Sequence, residues 1–451
     1  MEKDYCENLL NLLAQGDFSN LKRQLSEMNV VDIAEFLGTL EKGQLVRVFR
    51  ILPKDISASV FSYLESEDQV DIVGSITDNE LGSLVGELFL DDAVDFLEEV
   101  PANVVTRVLA NTDHKTRQMI NTFLKYPENS AGSIMTNEMV ELHDRFTVAQ
   151  AIAHIRSTGV GKETIYSCYC IDNGRRLIGT VSLSDLIFNN EGAFIRDIMH
   201  EDEKMICVNT MDDQEAVADI AKKYDLLSIP VVDNEKRLVG IITIDDIVDI
   251  IEEENTEDFE KMALMHPSDD EYLKTGVFTL VKNRIVWLLV LMVSATFTGK
   301  IIDNFEGMLA VMVGLTASIP MLMDTGGNSG SQSSTLIIRG LALGEIQMKD
   351  YPKVLIKEIQ VGMLCGIILA VVNFGRMYLI AGPEKNIPVY IVTSLSLICA
   401  VVLSKAIGCS LPIIAKVFKL DPALMAGPLI TTIVDALVLI IYFVLAKVFL
   451  M

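Results

Sequence analysis

An aspartate in the middle of the last apolar segment carries the clearest chemical signal in this sequence. Asp435 lies in the run 428–442, which is otherwise apolar except for two threonines. A carboxylate at the centre of a membrane helix costs about 2.5–3.5 kcal/mol on insertion scales, so it must face protein, water or an ion. Thr431 lies one turn earlier on the same helical face. We predict an ion site at Asp435 and Thr431 or, alternatively, a structural ion pair between Asp435 and Lys405.

A second polar signal interrupts another apolar segment at residues 320–335, a run rich in Gly, Ser and Thr. Irregular, glycine-rich backbone at membrane depth is tolerated where it is buried in protein or lines a watery cavity. In such a cavity Asn328 and Gln332 can offer oxygens to a hydrated ion. Alternatively, the small residues serve close packing between helices, with hydrogen bonds from Ser and Thr. The sequence leaves both interpretations open.

The charge of the chain is divided by position. Before Gly276 lie 53 of the 62 acidic residues but only 24 of the 37 basic ones, which gives a net charge of −29 there and +4 in the remainder. A surface with that charge repels nucleic acid and anionic lipid and attracts cations. We therefore exclude nucleic-acid binding and expect an acidic, water-soluble half joined to an apolar half.

Five apolar stretches follow residue 276, and each can cross a hydrocarbon core that needs about 20 residues. They are approximately 278–302, 308–341, 354–380, 387–418 and 422–450. One side of the membrane collects more of the basic residues near the span ends, as a cytoplasmic side does. These residues are Lys274, Lys282, Arg284, Arg339, Lys349, Lys353, Lys357, Lys416 and Lys419, against Lys300, Arg376, Lys385 and Lys447 on the other side. The acidic start also lacks the basic flank of a signal peptide, so we predict a multi-pass protein of the cell (inner) membrane with a cytoplasmic N-terminus and an external C-terminus.

The soluble half contains two internal repeats. Residues 1–130 predict short amphipathic helices, and the motif that begins at Asp32 recurs with the same spacing at Asp92, as in a small superhelical array. Residues 131–254 alternate strands and helices twice, in copies at about 131–194 and 195–254. Each copy ends in R-L-x-G, an apolar strand and a Ser or Thr three residues before an acid. This pattern resembles a tandem pair of CBS domains, regulatory modules that often bind adenine nucleotides.

The resulting fold class is multidomain. We predict an α-helical superhelical domain, α/β tandem CBS domains, a charged connecting (plug) helix at 255–275 and an α-helical membrane domain of five spans at 276–451. This order, the run D-T-G-G-N-S-G-S-Q-S-S-T-L-I-I-R and the run from Asp421 to Asp435 together resemble the MgtE family of magnesium channels. The resemblance covers essentially the whole chain.

The resemblance implies a homodimer in the lipid bilayer, with a pore between the two membrane domains in which Asp435 of each subunit recognises hydrated Mg²⁺. One or two carboxylates suffice for this, because Mg²⁺ dehydrates reluctantly and keeps several waters. The resemblance also implies feedback closure, in which Mg²⁺ binds acids of the cytoplasmic domains and draws them together. The matching acids are Asp213, Glu215, Asp225, Asp246, Asp249, Glu254, Glu257 and Asp258.

Close carboxylates repel one another unless counterions neutralise them, which supports the regulatory assignment for the set, although any single acid can equally be solvated surface. The resemblance further implies ATP as a ligand of the CBS pair. The positions that match an ATP site are Tyr169, Ile229, Pro230, Thr243 and Asp246.

Two other functions compete with a passive Mg²⁺ channel. A secondary transporter could couple a divalent cation to H⁺ or Na⁺, with Asp435 binding each in turn. A CBS-controlled membrane enzyme is the other, but the five histidines are dispersed, none falls in a span, and we find no nucleophile–base constellation. A G-x₄-G-K-[ST] phosphate-binding motif is also absent from the sequence. We therefore expect a transport protein that is not an enzyme.

Overall fold

The computed structural model describes residues 3–201, 205–268, 272–273, 275–311, 313–380 and 386–450. The chain divides into two compact units, Met1–Ile251 and Glu252–Met451. Lys274 and Lys385, which contribute to the predicted orientation, lie outside the described residues.

Ten short helices form the first part of unit 1. They are α1 Lys3–Gln15, α2 Phe18–Ser26, α3 Val30–Gly38, α4 Lys42–Ile51, α5 Lys54–Ser62, α6 Ser66–Ser75, α7 Asp78–Val85, α8 Leu90–Glu99, α9 Ala102–Asn111 and α10 His114–Phe123. Polar residues cap several of them, including Asn29 at α3 and Thr77, which forms a capping box with Glu80 at α7. From α3 to α8, each helix packs against the helix two positions further along the chain, as in a superhelical array.

The motif that recurs at Asp32 and Asp92 corresponds to equivalent pairs of helices. The first copy of the motif forms α3 and α4, and the second forms α8 and α9. Phe36 and Leu37 of the first copy are buried, and so are Phe96 and Leu97 of the second. The repeated spacing therefore places the same apolar face of each copy in one continuous core.

The tandem α/β copies follow. Their elements are β1 Val140–His143, α11 Val148–Thr158, β2 Ser167–Ile171, β3 Leu177–Ser182, α12 Leu183–Phe188, α13 Ile195–Ile198, β4 His200–Glu201, β5 Val208–Asn209, α14 Gln214–Tyr224, β6 Ser228–Val232 and β7 Leu238–Thr243. The first sheet has the order β1-β2-β3-β4 and the second β5-β6-β7. In each copy the first pair of strands is parallel and the next pair is antiparallel. A bridge between Arg176 and Arg237 connects the two hairpins.

The helix that leaves the second copy differs from the predicted connecting helix in its start. Helix α15 runs without a break over Ile244–Met262, so the connecting segment continues the last helix of the second copy. Its N-terminal residues Ile247 and Ile250 are buried, while acidic residues dominate the part beyond Ile251. The helix ends near Leu264, which has a positive φ of 54°, before Pro267.

The described part of unit 2 beyond residue 276 contains seven α-helices. They are α16 Val277–Asn304, α17 Glu306–Val311, α18 Val313–Thr316, α19 Ile319–Ala342, α20 Tyr351–Ile380, α21 Ile387–Val417 and α22 Gly427–Leu450. Among the described residues, four helical segments are long and apolar enough to cross a membrane: Val277–Asn304, Met348–Ile380, Ile387–Val417 and Pro422–Leu450. The other predicted span corresponds to α19, which has 24 residues but carries the polar run.

The backbone of the polar run is regular, contrary to the irregular backbone that its glycine content suggested. Helix α19 continues through Gly326, Gly327 and Gly330, and all three are buried against α21 and α22. Close packing compensates for the low helix propensity of glycine. At the tightest point a Cβ on Gly408 of α21 would lie 2.2 Å from the carbonyl oxygen of Gly330.

This contact makes a testable prediction for stability. The substitution Gly408→Ala is expected to destabilise the protein by about 1–3 kcal/mol, because a backbone carbonyl cannot yield to the new methyl group. Thermal unfolding of the detergent-solubilised protein measures the effect. Gly375→Ala is the matched control, since no atom lies within 4 Å of a Cβ at that helical position; equal unfolding temperatures for the two variants would contradict the prediction.

Candidate metal-binding sites

Asp435 occupies the middle of α22, as its position in the sequence predicts. Its side chain is half-buried, and its Oδ1 atom is buried without a hydrogen-bond partner. One turn earlier Thr431 donates a hydrogen bond of 3.0 Å to the carbonyl oxygen of Gly427, a residue with a positive φ of 36°. The carboxylate therefore keeps acceptor capacity for a ligand that is not part of this chain.

The alternative ion pair between Asp435 and Lys405 is not formed. The Nζ atom of Lys405 lies 3.8 Å from Oε2 of Glu358 on α20 and 3.4 Å from Oγ of Ser333 on α19. Ser333 also donates a hydrogen bond to Glu358. Glu358 was not singled out from the sequence, because nothing in its local spacing relates it to a residue on another helix.

Asp324 is a second carboxylate near Asp435 that the sequence did not single out as a site residue. It is exposed on α19 and close enough to Asp435 to repel it electrostatically. Asn328 donates a hydrogen bond of 3.1 Å to Oδ1 of Asp324. Asp324, Asn328 and Gln332 share one face of α19 and line a cavity of about 390 Å³. The glycines of the polar run pack against neighbouring helices while its polar side chains line a cavity; contact of Asn328 and Gln332 with an ion stays a prediction.

The C-terminal end of α15 contacts the segment that precedes α22. Lys261 forms ion pairs of 2.7 Å with Glu257 and 2.8 Å with Asp421. Burial opposes the charge of Lys261, but these carboxylates raise its pKa. The pKa of Asp258 is also raised, first by burial and then by repulsion from Asp421. A Cβ on Gly427 would lie 3.1 Å from the carbonyl oxygen of Met262, so the end of α15 lies directly against the start of α22.

Unit 1 contains a cluster of four acids that only the tertiary structure assembles. Asp91 and Asp92 lie in the first turn of α8 and Asp246 in the first turn of α15, while Glu163 precedes β2. Asp246 belongs to the predicted regulatory set; the other three were not singled out from the sequence. Each of the other three interacts electrostatically with Asp246.

Burial and mutual repulsion raise the pKa values of this acid cluster. Burial, followed by Asp246, raises the pKa of Asp92 to about 6 and that of Glu163 to about 7. Burial also raises the pKa of Asp246 to about 6, although a hydrogen bond from Thr243 opposes the change. The pKa of Asp91 is well above its ordinary value for the same reasons. Asp91 and Glu163 each have one buried carboxylate oxygen without a hydrogen-bond partner.

These carboxylates fit a hydrated Mg²⁺ ion, because hard oxygen donors with unused acceptor atoms are what it binds. Among the described residues, however, no three His, Cys, Asp or Glu side chains converge on a preformed metal position. An ion bound there would therefore keep part of its water shell, as Mg²⁺ usually does.

Three other predicted regulatory acids lie at the ends of one helix. The side chain of Asp213 caps the N-terminus of α14 by accepting a 3.0 Å hydrogen bond from the backbone NH of Glu215. Asp225 ends the same helix in a left-handed conformation. Asp249 follows Asp246 by one turn of α15, and Glu254 lies further along the same helix. The regulatory role of these acids stays a prediction.

Four of the five residues predicted to bind nucleotide lie on β2, β6 and β7, and the fifth, Asp246, lies in the first turn of α15. The hydroxyl group of Tyr169 on β2 is 2.7 Å from that of Ser228 on β6. Ser228 pairs with Thr243 across β6 and β7, and Ile229 and Pro230 follow it on β6. Thr243 in turn donates a 2.8 Å hydrogen bond to Asp246.

Sequence comparison finds three family matches. Residues 319–445 match a family of divalent cation transporters, residues 28–129 match the MgtE intracellular N domain, and residues 131–190 and 195–253 each match the CBS domain. The chain is 34% identical to the magnesium transporter MgtE of Thermus thermophilus, with 99% of both chains covered. It is 30% identical to that of Bacillus subtilis, with 98% of this chain and 96% of the relative covered.

Solved structures resemble the soluble half. The soluble part of a magnesium transporter matches with a TM-score of 0.53 and 28% identity, covering 56% of this chain and 98% of that structure. The cytosolic domain of the Mg²⁺ channel MgtE in complex with ATP matches with a TM-score of 0.52 and 34% identity, covering 54% and 99%.

Proposed function

Because this chain belongs to the MgtE family of magnesium transporters, we propose that it is a channel that imports Mg²⁺ along a path beside Asp435. The observation that carries this proposal is the carboxylate of Asp435, which lies in the middle of an apolar helix with one buried, unpartnered oxygen. Lys405, the cation within the preceding apolar helix, is paired with Glu358 instead. A passing cation would supply the missing counter-charge.

Asp324 and Asn328 extend this proposed ion site. Two carboxylates that repel each other inside a membrane domain gain from a divalent cation between or beside them. The amide of Asn328 holds Asp324 in place, and Thr431 offers a hydroxyl oxygen one turn from Asp435. This donor set suits an ion that retains its water shell, as Mg²⁺ does.

The membrane potential can drive the import. It favours entry of a divalent cation by about 4–5 kcal/mol per 100 mV. Current through the purified protein in a planar bilayer, with Mg²⁺ varied on each face, tests the proposal. A channel gives a reversal potential set by Mg²⁺ alone, whereas a carrier coupled to H⁺ or Na⁺ gives one that shifts with the second ion and would replace the channel proposal.

We further propose that α15 closes the path when cytoplasmic Mg²⁺ is high. Its C-terminal end lies against Gly427 at the start of α22, and Glu257 and Asp258 lie near Asp421. A divalent cation would neutralise this group of acids more fully than Lys261 does and hold the helix in place. Binding of Mg²⁺ to the acid cluster of Asp91, Asp92, Glu163 and Asp246 would compact unit 1 in the same way.

Neutralising the acids of α15 tests this gate. The triple variant E254Q/E257Q/D258N is expected to stay open at internal Mg²⁺ concentrations that close the wild type, because the metal loses its ligands. Open probability in inside-out patches measures the effect. The matched control variant E252Q/E253Q changes the two acids that directly precede Glu254 on the same helix. Normal closure of the triple variant would exclude these acids as a metal site.

We also propose that the protein is a homodimer of the cell (inner) membrane with a cytoplasmic N-terminus. The excess of basic residues on one side supports the orientation. Each chain supplies one Asp435 carboxylate, which supports pairing, since one or two carboxylates hold hydrated Mg²⁺. The ATP-bound cytosolic domain of a relative and the grouping of Tyr169, Thr243 and Asp246 support ATP binding by the CBS pair.

A further inference from the structure

We propose that Lys405 is a specificity-determining residue, a fixed internal cation that weakens the binding of metal ions in the neighbouring polar cavity in proportion to their charge. Lys405 is a charged residue in the middle of α21, and it is only 6% exposed. Charged side chains inside membrane domains are retained for function more often than for stability. This inference rests on the proposed ion path, because the cavity contains Asp324.

Contacts from two neighbouring helices hold the Lys405 side chain in place. Lys405 donates to Ser333 of α19 and pairs with Glu358 of α20, and Ser333 donates to the same Glu358 oxygen. Gly362, one turn after Glu358, packs against the Lys405 stem, with 3.5 Å between a Cβ at that position and Cδ. A lysine held by two partners and by packing cannot follow a passing ion, so its charge acts from a fixed position.

Of the two residues in the ion pair, only Lys405 reaches the cavity. Lys405 lines the cavity of about 390 Å³ together with Asp324, Asn328 and Gln332, whereas Glu358 is not among its lining residues. The volume is sufficient for an ion with six waters, since each water occupies about 30 Å³. An ion in this cavity therefore faces Asp324 as the attractive charge and Lys405 as the repulsive one.

The opposing charges have a direct consequence for conduction. An ion must bind well enough to enter and weakly enough to leave. Coulomb repulsion from Lys405 scales with the charge of the ion, so it lowers the affinity for a divalent ion twice as much, in logarithmic terms, as for a monovalent one. We infer that Lys405 offsets the attraction of Asp324 and Asp435 and speeds the release of Mg²⁺.

The double variant E358Q/K405M tests this inference in the full-length protein. It removes both charges and so does not leave either one buried without a partner. We expect the half-saturating Mg²⁺ concentration in liposome flux assays to fall about 10-fold, and the inhibition constant of hexaamminecobalt(III) to fall about 30-fold, because the logarithmic shifts scale as two to three. The maximal Mg²⁺ flux is expected to fall as release slows.

Three further variants sharpen the test. K405R keeps the charge and is expected to stay within about twofold of the wild type. K416M removes a positive charge about 16 Å further along α21 and is expected to leave both constants unchanged. E358Q alone leaves the ammonium group without its carboxylate partner and is expected to raise both constants, with the larger rise for the trivalent ion. This variant provides an independent test if the double variant does not accumulate.

Equal shifts for the two ions, or none, would overturn the inference and leave Lys405 with a purely structural role. That result is distinguishable from failure of the ion path itself. Mg²⁺ flux that survives removal of the Asp435 carboxylate would refute the path, whereas the ratio of the two shifts reports on Lys405 alone.

Discussion

Replacement of Asp435 by asparagine is expected to lower Mg²⁺ flux by about 100-fold or more while the protein still reaches the membrane. The substitution keeps the size of the side chain and removes its charge. A 100-fold loss corresponds to about 2.7 kcal/mol, a modest share of the attraction between a carboxylate and a divalent ion in a site of low dielectric constant. Uptake of Mg²⁺ into liposomes that contain a trapped Mg²⁺-sensitive dye measures the flux.

The matched control is Asp303→Asn, which removes a carboxylate from the exposed end of α16 and is expected to leave the flux unchanged. Asp324→Asn is expected to have an intermediate effect, because Asp324 is more exposed to water than Asp435 and acts as the second carboxylate. Unchanged flux through Asp435→Asn would remove this residue from the ion path, even if Asp324→Asn proved inactive.

A second large effect is expected when the acid cluster of unit 1 is neutralised. In metal-free buffer the raised pKa values of Asp92, Glu163 and Asp246, between about 6 and 7, favour the protonated, compact form. Their stabilisation is fully present below about pH 4, where the unfolded chain is also protonated, and it is lost as the pH rises through 6 to 7. Above pH 7 we therefore expect compaction to require a cation.

Hydrogen exchange of the full-length protein measures this compaction at the amides of α8 and the first turns of α15. At pH 8 we expect Mg²⁺ to slow exchange there by about tenfold in the wild type, which corresponds to about 1.4 kcal/mol. In D92N/D246N the dependence on Mg²⁺ is expected to disappear, and the dependence on pH is expected to shrink. The control variant E7Q/D219N removes two exposed acids elsewhere in unit 1 and retains both dependences.

Full Mg²⁺ dependence in D92N/D246N would show that the metal acts through other acids, such as Asp213, Glu215 or Asp225. A pH dependence that survives there would assign the titration to Asp91 or Glu163, which the variant leaves intact. Either result would separate the two roles that the cluster combines, repulsion in the absence of metal and binding in its presence.

The sequence by itself determined the order of domains and the location of Asp435. Local repetition was sufficient for the helical array and the tandem CBS copies, because each copy repeats its own pattern of buried positions, such as Phe36 and Phe96. Hydropathy was sufficient for the four long apolar helices, whereas the predicted span at 308–341 contains the polar run of α19. An acid in an apolar helix can equally be recognised from the sequence, because the free-energy cost of its charge depends on its depth in the membrane and not on its neighbours.

The tertiary structure decided which partners the charged residues have. Lys405 and Asp435 are the most obvious pair in the sequence, but Lys405 pairs with Glu358. The acids around Asp246 come from segments that lie more than 80 residues away in the chain, at Glu163 and at Asp91. The glycine-rich run of α19 also proved helical, because α21 and α22 approach it closely.

The physical reason is the short range of these interactions. Hydrogen bonds, ion pairs and close helix contacts act over a few ångströms, so they depend on how distant segments are placed together. Burial of apolar surface, in contrast, follows from local composition and periodicity. The sequence therefore identifies the elements and the most unfavourable buried charge, while only the folded chain shows that the Asp435 carboxylate keeps an oxygen available for a metal ion.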